Sequence, residues 1–393
     1  METVILIGII LALLFNFVNG LNDSANSIAT VVSTRVLSPV KAVAMAAFFN
    51  MVGPFLFTTV VAMTIGKGIV DPGALIPEVI VIGLGSAVLW VFLSSYAGIP
   101  ISASQALVGG LIGSAIAWGG TGSVIWPSVD LFLMTIAVFI AGGVAGAVLL
   151  SYIAWRKDEE KWAEYIGLGF LCGASLVLPP AIVSGVLPLQ GILAIVIFIV
   201  VSPVLGFVAA YLLGLVLLRT FRNSPARTMN AIFSKLQVFS AAFYSLGHGS
   251  NDAQNAMGVI TALLLTAGVL SEFVVPAWVI VVSGLAIALG TFLGGWRVVE
   301  TMGRKITKLR PYQGFCAETG GGIVLAFVTA FGIPVSTTHA ISGSIMGVGA
   351  TRGYSAVQWG VVRKIVTAWI LTIPLTATCG YIGFTALRLI FPF

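Results

Sequence analysis

The sequence predicts an all-α polytopic membrane protein, with about 12 membrane segments in an inverted-topology repeat and two re-entrant helical hairpins. Three observations carry this expectation. Apolar runs of around 20 residues succeed one another along the chain. Of its 393 residues, 59% are hydrophobic and 8% are charged, against roughly a quarter charged in a globular domain. The period-2 alternation of an outer-membrane barrel is absent. Next, Gly20-Leu21-Asn22-Asp23-Ser24-Ala25-Asn26 returns as Gly249-Ser250-Asn251-Asp252-Ala253-Gln254-Asn255, placing the aspartates 229 residues apart (252 − 23). Finally, Gly98-Ile99-Pro100-Ile101-Ser102 returns as Gly332-Ile333-Pro334-Val335-Ser336, an offset of 234 (332 − 98). Two different motifs repeating at nearly one offset mark a chain built from two halves.

The apolar runs fall near 3–36, 42–66, 76–96, 98–118, 128–154, 164–187 and 191–218. In the second half they lie near 236–266, 273–294, 314–331, 333–350 and 365–390. Met1 and Glu2 bring no basic n-region, so the first run is expected to stay in the protein rather than act as a cleaved leader. Basic residues gather at Arg156, Lys157 and Lys161, and at Arg219, Arg222, Arg227 and Lys235. Two further clusters hold Arg297, Arg304, Lys305, Lys308 and Arg310, then Arg352, Arg363 and Lys364. The positive-inside rule puts all four in the cytoplasm.

Loops at matching positions then show opposite charge. The stretch 296–312, before the second G-I-P, reads as a basic inside loop, whereas 67–75 holds one lysine and one aspartate. Arg35 and Lys41 follow the first motif, whereas Glu272 alone follows the second. The halves are therefore inverted, with both termini outside. Three spans between about 128 and 218 match neither motif, and their odd number produces the inversion. The expected organisation is a first repeat at 1–118, linking scaffold spans at 119–235, a second repeat at 236–350 and a C-terminal span at 351–393. Proline lacks an N–H and glycine ends helices, so each G-I-P breaks a helix without a charged loop. Such backbone at membrane depth must be buried in protein or line a cavity, which favours a re-entrant hairpin.

In N-D-x-x-N the aspartate and the second asparagine share a helix face. Asp23 with Asn26, and Asp252 with Asn255, present hard oxygen ligands suited to a hard cation, with sodium the natural occupant. Gly20 and Gly249 are expected to disrupt their helices and free carbonyls for the same site. Past each proline, a helix begins at Ser102, Ser104 and Gln105, and at Ser336, Thr337, Thr338 and His339. A helix N-terminus offers about half a positive charge and free N–H donors, which suits an oxyanion. Asn22 and Asn251 are assigned to the anion side. Two aspartates and an anion have no lysine or arginine among them in these motifs, so the anion would bind only with its cations.

His248 and His339 stand where the other half has Asn19 and Gln105, which favours polar accessory roles over proton transfer. Glu318 has no acidic counterpart at Leu84 and is either a gating carboxylate beside the site or an interfacial one. Gly320, Gly321 and Gly322 are expected to serve close packing. Cys172, Cys316 and Cys379 show no pairing pattern and are read as packing residues.

At these residues the chain resembles the inorganic phosphate transporter (PiT) family of sodium- or proton-coupled symporters. That family carries a G-A-N-D-x-x-N-A-type motif in each half and a G-I-P-[IV]-S element. Here Leu21 and Ser250 replace the alanine after glycine, and Ser27 replaces the final alanine of the first copy. The resemblance covers nearly the whole chain and implies phosphate as substrate, midplane binding, alternating access and a homodimer, while Asn26 and Asn255 favour sodium as the coupling ion. It further implies a multi-pass protein of the cytoplasmic membrane, with no cofactor and no nucleic-acid partner. Proton coupling, or carriage of sulfate or metal phosphate, stays open. From another class, an intramembrane aspartyl protease with Asp23 and Asp252 as its dyad lacks the expected Y-D and G-x-G-D context. A passive channel would need weaker binding than two carboxylates beside an anion cradle provide.

Overall fold

The computed structural model describes residues 2–56, 59–156, 164–189, 191–333 and 335–391. Lys157, Lys161 and Pro334 lie outside the described residues. The first half begins with α1 (Glu2–Ser33), α2 (Pro39–Leu56), α3 (Val60–Lys67), α4 (Pro77–Ala97) and α5 (Ala103–Gly119). Next come α6 (Val129–Arg156), α7 (Glu164–Val183) and α8 (Gly191–Thr220). The second half holds α9 (Ala226–Thr266), α10 (Ala277–Leu293), α11 (Trp296–Glu300), a π-helical stretch (Thr301–Lys305), α12 (Pro311–Ala330), α13 (Thr337–Ala350) and α14 (Trp359–Ile390).

Seven helices, α1, α2, α4, α6, α7, α8 and α14, are each long and apolar enough to cross a membrane. A further span bends by 63° between α10 and the segment Trp296–Lys305. The chain is a polytopic helical membrane protein. The other expected segments fail the apolar test for physical reasons. Helices α5 and α13, of 17 and 14 residues, reach only about 25 and 21 Å, short of a core about 30 Å thick. Helices α9 and α12 are long enough, at 41 and 20 residues, but carry the polar residues of the interior.

On α1 the buried polar residues Asn16, Asn19, Asp23, Asn26 and Thr30 recur at three- and four-residue steps. On α9 Gln237, Ser240, Tyr244, His248, Asn251 and Asn255 do the same. Each helix therefore turns a polar stripe inward, the reverse of a water-soluble helix. Two apolar clusters flank the stripes. One holds α13 through Ala340, Ile341 and Ile345, together with Phe198 and Val201 of α8. The other holds α5 through Ala106, Leu107 and Leu111, together with Ile80 and Leu84 of α4.

The expected helix breaks at Gly20 and Gly249 do not occur: α1 and α9 run through both. Each residue brings one N–H and one C=O that must be hydrogen-bonded in lipid, and an unbroken helix satisfies both. The glycines instead admit neighbouring backbone. A Cβ on Gly20 would strike the Ile287 carbonyl of α10, and one on Gly249 would strike the Asn50 backbone of α2. Gly290 of α10 meets Phe17 of α1, and Gly53 of α2 meets Leu246 of α9, in the same way. Each motif helix is thus clamped by a helix from the other half.

Two further expectations are corrected. The single run 42–66 forms separate helices, α2 and α3. The basic stretch 296–312 is helical through Lys305 rather than a loop, because it docks on the first hairpin. There Thr301 Oγ1 donates to the Gly98 carbonyl at 2.8 Å, and the Arg297 guanidinium lies over the Tyr96 ring at 4.3 Å. Thr64 of α3 donates in the same manner to the Gly332 carbonyl of the second hairpin, also at 2.8 Å. Gly98 and Gly332 have φ of 71° and 65°, the left-handed conformation that glycine adopts without strain.

Packing along these contacts predicts a sharp contrast between neighbouring glycines. Gly249→Val should cost about 1–3 kcal/mol or more through overpacking, seen as a lowered thermal midpoint and loss of monodispersity in detergent. Gly247→Ala, whose Cβ meets nothing closer than Leu325 Cδ2 at 3.4 Å, should leave both unchanged. Equal behaviour of the two would refute the clamp.

Candidate functional site

The two motifs converge. Asp23 of α1 and Asp252 of α9 are both 2% exposed, and with His248 they form one cluster whose ligand atoms lie within 4.8 Å of one another. His248 Nε2 stands 3.3 Å from Asp252 Oδ2 and 3.9 Å from Asp23 Oδ2. Its Nδ1 faces Asn50 Oδ1 at 3.2 Å, and Asn50 in turn donates to Thr291 Oγ1 at 2.9 Å. Asn19 Nδ2 donates to Asp252 Oδ2 at 3.3 Å.

The hairpins supply hydroxyls to this cluster. Thr338 Oγ1 donates to Asp23 Oδ1 at 3.1 Å. Thr337 Oγ1 lies 3.5 Å from Asp23 Oδ2 and 3.4 Å from Asp252 Oδ2. Asn26 Nδ2 donates to Thr337 and Thr338 at 3.1 and 3.0 Å, and Asn255 Nδ2 donates to Ser104 Oγ at 2.8 Å. The second asparagine of each motif therefore reaches the hairpin of the opposite half. Within a half the pattern differs: Asn22 donates to Ser95 at 2.8 Å, and Asn251 to Thr329 at 2.9 Å. Both sets of contacts repeat at the offsets of the motifs themselves.

These amides give away their N–H groups and keep their oxygens. Oδ1 of Asn19, Asn22, Asn26, Asn251 and Asn255, Oε1 of Gln105 and Oδ1 of Asp252 are buried without a hydrogen-bond partner among the described residues. A buried acceptor left unpaired costs about 1–3 kcal/mol, and together with the two carboxylates such oxygens are of the type that could hold a hard cation. Asn22 and Asn251, assigned to an anion by the sequence, each have an amide N–H engaged and an unpaired Oδ1 that could serve a cation instead.

Donors that could serve an anion lie in the first turns of α5 and α13. Ser102 and Ser336 are N-caps, accepting from Gln105 N at 3.3 Å and from His339 N at 3.2 Å. They thereby hold the turns open, with the N–H groups of Ala103, Ser104, Thr337 and Thr338 ahead of the first intrahelical bonds. Tyr244 fixes the second hairpin by donating to the Thr337 carbonyl at 2.9 Å.

Two candidates lie apart from the carboxylates. The His339 ring packs on Trp369 of α14 with centroids 3.9 Å apart. Glu318 is fully buried and accepts hydrogen bonds from Thr30 of α1 and from Ser240 and Gln237 of α9. Thr30 is two helical turns from Asp23, about 10 Å along α1.

Sequence reasoning missed Asn50, Ser95, Thr329, Tyr244, Gln237 and Ser240. Ser95 and Thr329 differ by the hairpin offset of 234, a signal that comparing the halves residue by residue would have found. Asn50 stands alone in an apolar helix and had no such signature.

A family model described as "Phosphate transporter family" matches residues 19–171 and 166–380. The chain belongs to the phosphate transporter family. Its members are transporters rather than enzymes, which removes the protease reading. A protein of Rhizobium meliloti named "Probable low-affinity inorganic phosphate transporter" is 43% identical over 98% of this chain and 97% of its own length. One of the same name from Bacillus subtilis is 35% identical over 98% and 97%. A solved structure titled "The sodium-dependent phosphate transporter" matches with a TM-score of 0.70 at 28% identity, covering 99% of this chain and 100% of that one.

The buried Glu318 network makes a test of its own. Glu318→Gln keeps acceptor oxygen for Thr30 or Ser240 and should fold. Glu318→Leu strands three donors and should lower stability by about 1–3 kcal/mol for each unsatisfied group, read as a drop in thermal midpoint.

Proposed function

We propose that the protein carries inorganic phosphate into the cell by coupling it to sodium entry, through alternating access across the cytoplasmic membrane. The observation that carries this reading is the meeting of two buried carboxylates and orphaned amide oxygens with the first turns of two short helices. Asp23, Asp252, Asn26 and Asn255 hold sodium, with Asn22 and Asn251 adding oxygens. Ser104, Thr337 and Thr338, the first-turn N–H groups and Gln105 receive phosphate, while Ser102 and Ser336 hold those turns in shape. Sodium bound first lowers the electrostatic cost of an oxyanion beside the aspartates, so each ligand makes the other's binding possible. The titles of the relatives and of the solved structure name phosphate, and the latter names sodium dependence.

Alternating access follows from the interlocked halves. The repeats 1–118 and 236–350, inverted in the membrane with both termini outside, move against each other on the scaffold of 119–235. The threonine grips at Gly98 and Gly332 are the contacts that such movement exchanges. Glu318, tying α12 to α1 and α9, couples hairpin position to the cation site. A homodimer is part of the same reading.

Proton coupling is the second reading, favoured by His248 standing between both aspartates. Radiolabelled phosphate uptake into proteoliposomes, under an inward sodium gradient, an inward proton gradient or neither, separates the two. Sodium-driven accumulation is expected. Accumulation on protons alone would overturn the coupling ion, and sulfate competing equally with phosphate would overturn the substrate. Asp23→Asn and Asp252→Asn should each abolish coupled uptake in folded protein. Ser104→Ala and Thr338→Ala should raise the phosphate KM about tenfold or more, as loss of a charge-assisted hydrogen bond implies, with sodium affinity changed less.

A further inference from the structure

Away from the buried site, a cavity of about 600 Å³ opens where the end of α8, the start of α9 and the start of α12 meet. Two basic clusters separated in sequence converge on it, through Arg222 and Arg310. No acidic residue lines it, and no salt bridge among the described residues engages either guanidinium. Ala226 and Pro311, the first residues of α9 and α12, also line it, so two helix N-termini add partial positive charge. The N-cap of α9 is Pro225, which offers no capping side chain. Tyr312 adds a polar group to the cavity wall. Only 7% of it is exposed, its ring packs against Phe233 with centroids 6.4 Å apart, and its hydroxyl has no partner among the described residues.

We propose that this cavity binds a phosphate group, and that the group is the headgroup of an acidic membrane lipid. Guanidinium forks recognise phosphate in a bidentate manner, and the Tyr312 hydroxyl donates a further bond. Free phosphate shares this chemistry, but the surroundings favour a lipid. Phe221, Met229 and Leu309 make part of the wall apolar. Beyond the cavity, α8 and α9 continue with exposed Leu215, Val216, Ile232 and Leu236, a surface for acyl chains. Basic pockets at the ends of membrane helices hold acidic headgroups for these reasons. A lipid here would join the α8 end of the linking spans to two helices of the second half.

The test uses the full chain in detergent, with phosphatidylglycerol or phosphatidylcholine added, read by native mass spectrometry and thermal melting. The wild type should retain phosphatidylglycerol selectively and melt higher with it. Arg222→Gln with Arg310→Gln should weaken that retention about tenfold or more, from the loss of two charge-assisted contacts. Arg363→Gln with Lys364→Gln, which removes equal charge outside the cavity, should not. Tyr312→Phe should weaken it by a smaller factor. A second arm titrates inorganic phosphate in phosphatidylcholine, using Asp252→Asn protein with and without the paired arginine changes. Phosphate protection that depends on the arginines, without selective phosphatidylglycerol retention, would overturn the lipid. Equal retention by wild type and the Arg222/Arg310 variant, or equal loss in the Arg363/Lys364 control, would overturn the cavity site altogether.

Discussion

Two carboxylates held within a few ångströms of each other, out of water, set the terms for the structure around them. Their mutual repulsion and lost hydration would be worth many kcal/mol in an isolated pair. His248 between them, hydroxyls from α13 and the amide of Asn19 offset part of that cost. A cation would offset more, and unpaired carboxamide oxygens lie buried on the same two helices. The site thus has one sign of demand that the fold leaves unmet, which is the condition a coupled carrier exploits.

Bringing Asp23 to Asp252 requires the halves to interlock rather than sit side by side. Helix α1 packs on α10 and α9 on α2, both through glycine where backbone meets backbone. The short helices α5 and α13 lie against α14 and α8, outside their own half's motif helix. Without hydrophobic driving force inside lipid, such close approach supplies the packing energy. The same exchange places each hairpin's hydroxyls beside the other half's asparagine, so neither half could assemble the site alone.

Much of this was legible in the sequence because membrane burial makes polar residues conspicuous. Asp23, Asn26, Asp252 and Asn255 stood out against apolar runs, and the duplicated offsets tied them to the hairpins. The turns at Gly98 and Gly332 were legible because G-I-P combines two helix-ending effects. What escaped were properties of three-dimensional pairing. Gly20 and Gly249 suggest helix breaks from sequence, and only the neighbouring Ile287 and Asn50 backbones reveal them as packing sites. The helical nature of 296–305 was hidden by its charge, since Arg297 finds its place over Tyr96 rather than in a loop. Asn50 was silent because a lone asparagine in a membrane helix carries no partner in its spacing.

The residues that break the internal correspondence are the informative remainder. Asn19 answers to His248, Gln105 to His339 and Leu84 to Glu318, so all three of these titratable departures lie in the second half. His248 joins the carboxylates, His339 packs on Trp369, and Glu318 ties α12 to α1 and α9. Trp369 also donates to the Pro100 carbonyl at 3.0 Å, linking the tip of the first hairpin to the start of the second. A perfectly duplicated site would treat its two faces alike. These substitutions concentrate charge and rigidity on one half, so the hairpin of that half is bound to its surroundings by interactions the other lacks. The symmetric residues therefore build what the two halves share, and the asymmetric ones set the halves apart.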